Sequence, residues 1–248
     1  MISVITPISI IPSHPDTDVI EETISSVRVH LPDAEIILMF DGLRPQQEEF
    51  RDVYEEHIRR VLRKKDGWGN VIPVRFDEHS HQVRMIRHIL PDIRTPLLMY
   101  VEQDTPLVTD LPIDWDACIN MITSGEADSV RFHHEAVVPD VHQYLMHGLV
   151  GDFIRTSQYS GRPHIASVAY YRRFLTAYFS EDARCSIEPI MWGVCDEAWN
   201  VAQRRQRDGM KGWAAHKLWI YHPEGNICRS RHLDGRDGAP GYDEEQHF

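Results

Sequence analysis

The chain has 248 residues, of which 42% are hydrophobic and 26% are charged, as in folded globular proteins and unlike disordered chains. Its formal net charge of −12 argues against a broad nucleic-acid-binding surface, because phosphate binding needs a basic face. No apolar run approaches the roughly 18 residues that a membrane span needs, and the four cysteines form no CxxC pair. The sequence therefore predicts a cytoplasmic protein with reduced thiols and no membrane partner.

The first hundred residues alternate strands with helices. Apolar runs predict strands at residues 3–6, 35–40, 71–76 and 97–101, and helical spacing of apolar side chains predicts helices at 17–31, 45–62 and 83–90. This order implies a parallel sheet with right-handed crossovers. Such a sheet places its ligand site at the carboxyl ends of its strands.

The pattern loosens after residue 104. Predicted there are a helix at 115–122, a strand at 129–132, a strand at 165–171, a helix at 195–207 and two late segments at 217–221 and 226–231. No internal repeat or low-complexity linker divides the chain. The sequence therefore gives no hard domain boundary.

Acidic residues follow three of the four early strands, and Glu102-Gln103-Asp104 is the sharpest case. Two carboxylates two residues apart both face a cleft if the backbone turns at the strand end, and hard oxygen ligands suit Mg²⁺ or Mn²⁺. An ion held there can bridge the phosphates of a diphosphate. It then stabilises the negative charge that grows on the diphosphate as it leaves. The alternative is a pair of solvated acids before the Thr105-Pro106 turn.

Taken in order, these segments resemble the family-2 glycosyltransferases of GT-A fold. Residues 2–7 are similar to the family's opening strand, and residues 35–42 to its second strand, which ends in Asp-Gly. Residues 87–90, followed by residues 97–104, resemble its Arg-Asn helix and the strand that carries the DxD motif. The order and separations agree across residues 2–108.

The resemblance implies a Rossmann-like α/β domain with a mostly parallel central sheet flanked by helices and a smaller acceptor-side subdomain. Residues 1–108 would be the donor-binding half, and residues 109–248 the acceptor-binding and catalytic half. A nucleotide-sugar donor, usually a UDP-sugar, and a divalent cation, Mn²⁺ or Mg²⁺, are implied with it.

Carried over by position, the resemblance places the donor on residues at the early strand ends and on the third helix: Thr6, Pro7, Asp41, Arg84, Arg87 and Glu102. Asp104 would ligate the metal, with Glu102 at the ribose or the metal. The sequence departs from the family at Phe40, where a second Asp is usual, at His88, where Asn is usual, and at Glu102, which replaces the first Asp of DxD.

In the second half, residues 193–203 resemble the family's acidic motif at the start of a helix, where an Asp is the general base of inverting members. Asp196 would take this role, with Glu197 as its substitute and Glu188 as a third choice. The alternative is an acidic first turn that only favours the helix dipole.

Several further polar residues are candidates for the same site. His232 resembles the late histidine that completes the metal site in some GT-A enzymes, and His222 is the second choice. His79 and His81 are alternatives for the base pocket. Arg162 and His164 are candidates for binding the diphosphate or the acceptor. The alternative is that they belong to an ordinary polar loop.

The leading hypothesis is therefore a metal-dependent, inverting glycosyltransferase. A nucleotidylyltransferase is a second reading, but residues 8–15 lack the Gly, Arg and Lys of its phosphate loop. A non-catalytic nucleotide-binding module is a third.

The acceptor is left open among a soluble sugar, a protein side chain, a metabolite and modified nucleic acid. The last rests on the eight of 26 Lys and Arg residues that lie between Arg204 and Arg236.

Overall fold

A computed structural model describes residues 2–206 and 208–233. Its strands are β1 (Ile2–Ile8), β2 (Glu35–Phe40), β3 (Val71–Arg75), β4 (Leu97–Tyr100), β5 (Ser129–Arg131), β6 (Met146–Val150), β7 (Phe153–Thr156), β8 (His164–Ser167) and β9 (Leu218–Tyr221). Its α-helices are α1 (Asp18–His30), α2 (Arg51–Lys64), α3 (His81–Ile89), α4 (Trp115–Thr123), α5 (Val168–Tyr178), α6 (Glu188–Arg204) and α7 (Gly209–Trp213). No helix within these residues is long and apolar enough to cross a lipid bilayer.

Within the described residues the strands form one nine-stranded sheet in the order β3-β2-β1-β4-β8-β5-β9-β7-β6. The first four are parallel, as the alternation of strands and helices predicts. From β8 onward the sheet is mixed, because β8 runs antiparallel to both β4 and β5, and a hairpin of β6 and β7 ends the sheet beside β9. The result is a mixed α/β fold with helices on both faces of the sheet.

Two apolar layers hold the parallel half together. Alternate residues of β2 point to opposite faces, so Ile36 and Leu38 enter one layer while Ile37 and Met39 enter the other. Helices α1, α2 and α4 cover the first layer, and α3, α5 and α6 cover the second. Burial on both faces explains why these strands read as uninterrupted apolar runs in the sequence.

Two predictions in the second half were wrong in type or extent. The predicted strand at 165–171 ends at Ser167, whose side chain accepts a hydrogen bond from the Tyr170 backbone N–H and so caps α5. The helix predicted to begin at residue 195 begins at Glu188, with Pro189 in its first turn. Helix α7 and the β6–β7 hairpin were not predicted.

The last described segment folds back over the end of β4. Leu107 and Ser230 form a β-bridge, and the backbone N–H of Leu233 donates to the carbonyl of Asp104 at 2.9 Å. This return brings His232 to the strand end that carries Asp104. Of the basic stretch and the acidic tail seen in the sequence, Arg207, Arg236 and residues 243–245 lie outside the described residues.

Candidate functional site

A cleft of about 430 Å³ opens at the carboxyl ends of β1, β2 and β4. It is lined by residues from these strand ends, from the loop before α3 and from α3 itself: Pro7, Ser9, Ile10, Pro12, Asp41, Gly42, Arg44, Gln47, His79, His81, Gln82, Met85, Glu102, Gln103, Asp104 and Ser186. Asp41 and Asp104 therefore share one cleft, as expected for neighbouring parallel strands. Almost all of the lining comes from the first half of the chain.

Asp104 faces His232 at one end of this cleft. Asp104 is 1% exposed, and its Oδ2 lies 3.4 Å from Nε2 of His232. Neighbouring ligands of one divalent ion are roughly 3 Å apart when each bond is about 2.1 Å long and the bonds meet at right angles. A carboxylate and an imidazole at this separation fit two positions of such a site. Within residues 2–206 and 208–233, no three His, Cys, Asp or Glu side chains form a complete metal-binding group.

Asp41 occupies the other end of the cleft and holds the loop before α3. Its Oδ1 accepts the backbone N–H groups of Gly42 at 2.9 Å and Ser80 at 2.6 Å, and its Oδ2 accepts that of His81 at 3.0 Å. Nδ1 of His79 lies 2.9 Å from the same Oδ2. The carboxylate, which is 4% exposed, thus accepts hydrogen bonds from the chain itself.

Glu102 is held by neutral donors. The Tyr100 hydroxyl donates to its Oε1 at 2.7 Å, and Nε2 of Gln82 donates to the same oxygen at 2.9 Å. Burial, with the adjacent carboxylate, raises the pKa of Tyr100 well above its usual value, so the phenol remains a donor. Oε1 of Gln82 in turn accepts from Oγ of Ser186 and the backbone N–H of Ile187, which ties this carboxylate to the segment before α6.

Glu188, the first residue of α6, lies close to Glu102 on the far side of Gly161. Its Oε2 accepts the Gly161 backbone N–H at 3.0 Å. A Cβ added to Gly161 would lie 3.0 Å from that oxygen and 3.4 Å from Oε1 of Glu102. The two carboxylates therefore converge on one glycine, and a side chain there would require the Glu188 carboxylate to shift.

A buried cationic group lies on the same side as Glu188. The guanidinium of Arg131, which is 5% exposed, donates to Oε1 of Gln158 at 2.9 Å. Burial lowers the pKa of Arg131 to about 10, with the Glu188 charge opposing that change. Arg162 belongs here and not to the cleft, since its Nη2 lies 3.3 Å from Nε2 of His134. Arg162 does not line the cleft, and its predicted contact with diphosphate or acceptor stays a prediction.

Three of the predicted donor residues lie elsewhere. Thr6 is fully buried inside β1 and does not line the cleft, although Pro7 does. Arg87 donates to backbone carbonyls at the end of α5, including that of Leu175 at 2.8 Å and of Ser180 at 2.6 Å, so it is a structural residue. Arg84 is absent from the lining, which α3 supplies through Gln82 and Met85.

The predicted base does not lie in the first turn of α6. Asp196 lies in the interior of α6, eight residues past Glu188, which corresponds to about 12 Å along the helix axis. Glu197 is exposed and forms an ion pair with Arg204. The acid in the first turn of α6 is Glu188, which the sequence offered only as a third choice. The sequence did contain a signal for it, because Pro189 favours the first turn of a helix.

Comparisons with known proteins give a fold but no close relative. No protein-family model and no curated protein matches the chain. The structure of S. aureus TarS 1–349 in complex with UDP-GlcNAc superposes with a TM-score of 0.55 and 12% identity, over 93% of this chain and 57% of that one. The mannosyltransferase PcManGT from Pyrobaculum calidifontis, in complex with GDP-Man and Mn²⁺, gives 0.51 and 11%, over 91% and 58%.

GalNAc-T7 with UDP, GalNAc and Mn²⁺ gives a TM-score of 0.51 and 10% identity, over 93% of this chain and 44% of that one. All three structures are GT-A-type glycosyltransferases. This chain has the GT-A fold. It spans less than two thirds of the length of each of the three proteins. In this GT-A fold, the cleft between Asp41 and Asp104 lies at the carboxyl ends of the parallel strands, where open α/β sheets bind ligands.

Proposed function

We propose that the protein transfers a sugar from a nucleoside diphosphate sugar to a hydroxyl acceptor. The observation that carries this proposal is the single cleft that joins Asp41 and Asp104, with His232 facing Asp104, on a GT-A fold. A cleft of about 430 Å³ lies in the range of small-molecule sites. The donor half would be residues 1–108, which supply nearly all of its lining, and the acceptor half residues 109–248.

Asp104 and His232 would hold a divalent cation, Mn²⁺ or Mg²⁺, at the end of the cleft that takes the diphosphate. When bound, the ion would neutralise charge on the diphosphate as it departs. Glu102 lies beside this pair, but Tyr100 and Gln82 already donate to its Oε1. We therefore propose that Glu102 orients the reacting sugar and the start of α6, and that Asp104 and His232 ligate the ion.

Glu188 would act as the general base in place of Asp196. The acceptor hydroxyl gives its proton to the Glu188 carboxylate as its oxygen forms a bond to the anomeric carbon, while the bond from that carbon to the diphosphate oxygen breaks. The leaving group carries away the bonding electron pair. Attack from the side opposite the diphosphate inverts the anomeric carbon. The Gly161 N–H fixes one carboxylate oxygen and so sets the direction of the other.

The test is nucleoside diphosphate release from UDP-sugars and GDP-sugars in the presence of Mn²⁺, with water or a panel of simple sugars as the acceptor. We expect release by the wild type and a loss of about 10²–10⁴-fold in kcat for Glu188→Gln, with unchanged donor binding. Asp196→Asn is the matched control and should retain activity. Binding of a nucleoside diphosphate without any release from its sugar would favour the non-catalytic module instead.

Modified nucleic acid is included among the acceptor classes because the stretch after Arg204 is locally basic. A release assay that includes single-stranded DNA bearing hydroxymethyl bases tests this directly. Stimulation of release by the hydroxymethylated strand and not by the plain strand would support it. Equal rates with both strands would remove nucleic acid from the acceptor classes.

A further inference from the structure

Given the proposed function, we propose that the donor nucleobase is guanine, recognised through its O6 and N7 by Arg44 and His81. Asp41, at the same end of the cleft, is then the anchor of the surrounding loop and not a ligand of the base. The sequence resemblance led to the opposite expectation, a uridine donor held by Asp41. The argument rests on which hydrogen-bonding groups this end of the cleft still offers to a ligand.

The Asp41 carboxylate has no remaining capacity for a base N–H. An ionised carboxylate offers about four lone-pair sites. Three accept the backbone N–H groups of Gly42, Ser80 and His81. The fourth faces Nδ1 of His79 at 2.9 Å. A base that needed Asp41 as an acceptor would have to displace a hydrogen bond of this buried loop.

His79 links Asp41 to Arg44 through its two ring nitrogens. Nε of Arg44 lies 3.2 Å from Nε2 of His79, and an arginine nitrogen can only donate. Nε2 of His79 is therefore the acceptor, and its proton lies on Nδ1, which donates to Asp41. Because Nε of Arg44 is fixed in this way, the planar guanidinium is fixed too. Its Nη groups are then the remaining donors of a residue that lines the cleft.

His81 adds a second donor. Its Nδ1 accepts the backbone N–H of Gln82 at 2.9 Å, so the proton of the neutral ring lies on Nε2. Burial, and then the charge of Arg44, lower the pKa of His81 to about 4, which keeps the ring neutral at neutral pH. Gln47 is also committed as an acceptor, since its Oε1 receives the Arg44 backbone N–H at 3.2 Å. The side chains at this end therefore present N–H groups.

The sheet order assigns these donors to the base and not to the diphosphate. Strand β1 lies between β2, which leads to Asp41 and Arg44, and β4, which leads to Asp104. Neighbouring strands are about 4.8 Å apart, so the two ends of the cleft are separated by roughly 10 Å. With the diphosphate at Asp104 and His232, that distance is filled by a ribose, and the base reaches Arg44.

Guanine matches a set of donors better than uracil does. Its O6 and N7 are adjacent acceptors on one edge, and a bidentate arginine contact to them is the commonest base-specific contact in nucleic-acid recognition. Uracil places an N–H between its two carbonyl groups and needs an acceptor, which Asp41 no longer supplies. Adenine and cytosine each carry an amino donor on this edge.

The test is direct binding of nucleoside diphosphates to the wild-type protein with Mn²⁺, measured by calorimetry. We expect GDP to bind at least about tenfold more tightly than UDP, ADP or CDP, given one bidentate arginine contact. Inosine diphosphate keeps O6 and N7 and should bind like GDP. The 7-deaza analogue of GDP lacks N7 and should lose most of the preference.

Arg44→Met keeps the apolar stem and removes the donors, so GDP affinity should fall to the level of UDP while UDP affinity changes little. Arg51→Met is the matched control, because Arg51 is exposed and paired with Glu48 outside the cleft. Tighter binding of UDP than GDP, or equal binding of GDP and its 7-deaza analogue, would overturn the guanine assignment while leaving sugar transfer intact. Failure of every nucleoside diphosphate to bind would overturn both.

Discussion

Asp41 and Asp104 each follow a buried parallel strand, and both line one cleft. Their neighbours differ. Asp41 meets backbone N–H groups from the loop before α3, whereas Asp104 meets the imidazole of His232 across 3.4 Å. Two acids in equivalent places of the fold can thus be proposed for opposite tasks, Asp41 for building the site and Asp104 for binding the ligand. What decides between them is the kind of hydrogen-bonding group that the rest of the chain brings to each.

The sharpest way to break this comparison is Asp104→Ala. If Asp104 serves the ligand and not the fold, kcat for donor turnover should fall by about 10²–10³-fold, the usual cost of losing one electrostatic stabiliser in an active site. The melting temperature should change little. Release assays with increasing Mn²⁺ and a thermal melt measure the two effects. Asp110→Ala, at an exposed acid just beyond, is the control.

Asp41→Ala should show the reverse, with its main effect on the stability of the fold. It leaves the backbone N–H groups of Ser80 and His81 without their acceptor in a buried loop, so we expect a loss of about 2–4 kcal/mol in the free energy of unfolding. Urea denaturation measures it. Asp77→Ala, at the exposed end of β3, should cost almost nothing. Unchanged stability in Asp41→Ala would contradict the anchoring role.

Gly161→Ala extends the comparison to the carboxylates of Glu102 and Glu188. The added methyl group would lie 3.0 Å from Oε2 of Glu188, so that side chain has to move. We expect a drop of roughly tenfold in kcat, as for other small misplacements of a reacting group, with donor affinity unchanged. Gly193→Ala, where nothing lies within 4 Å of an added Cβ, is the matched helical control. A wild-type kcat in Gly161→Ala would contradict a part for Glu188 in the reaction.

A further effect is expected on the pH dependence of stability. An unfolded histidine binds its proton near pH 6.5, but His81 in the folded loop binds it only near pH 4. Between these values the unfolded state holds more protons, so stability is complete above about pH 6.5 and falls as the pH is lowered. His81→Asn tolerates the positive φ of this position and should show a shallower fall. Melting temperatures between pH 7 and pH 4.5 test it.

The parallel half was predictable because each strand is buried on both faces. An uninterrupted apolar run such as residues 35–40 has one stable solution, a central strand, and the helices between such runs follow from apolar spacing. In the second half, local signals competed. Residues 165–171 are apolar and β-branched enough for a strand, but the Ser167 cap and the packing of α5 turn the later part into a helix.

The residues of the candidate site also divide into those that could be predicted from the sequence and those that could not. Pro7, Asp41, Glu102 and Asp104 were found because strand ends of a parallel sheet converge, and all four line the cleft. Arg44, Gln82 and Glu188 were missed or ranked low, because their places depend on partners far away in the chain. The contacts of Arg87 could not be predicted, since sequence alone cannot show that its guanidinium donates to the carbonyl groups at the end of α5.

The parallel half of the sheet and the strand ends at which acidic groups gather follow from the amino-acid pattern, because burial on two faces and the twist of the chain leave little choice there. The surroundings of each acid, in contrast, depend on the tertiary structure. A carboxylate becomes an anchor or a ligand according to the donors that distant segments bring within about 3 Å. Those segments are placed by packing of the whole molecule and not by any local pattern.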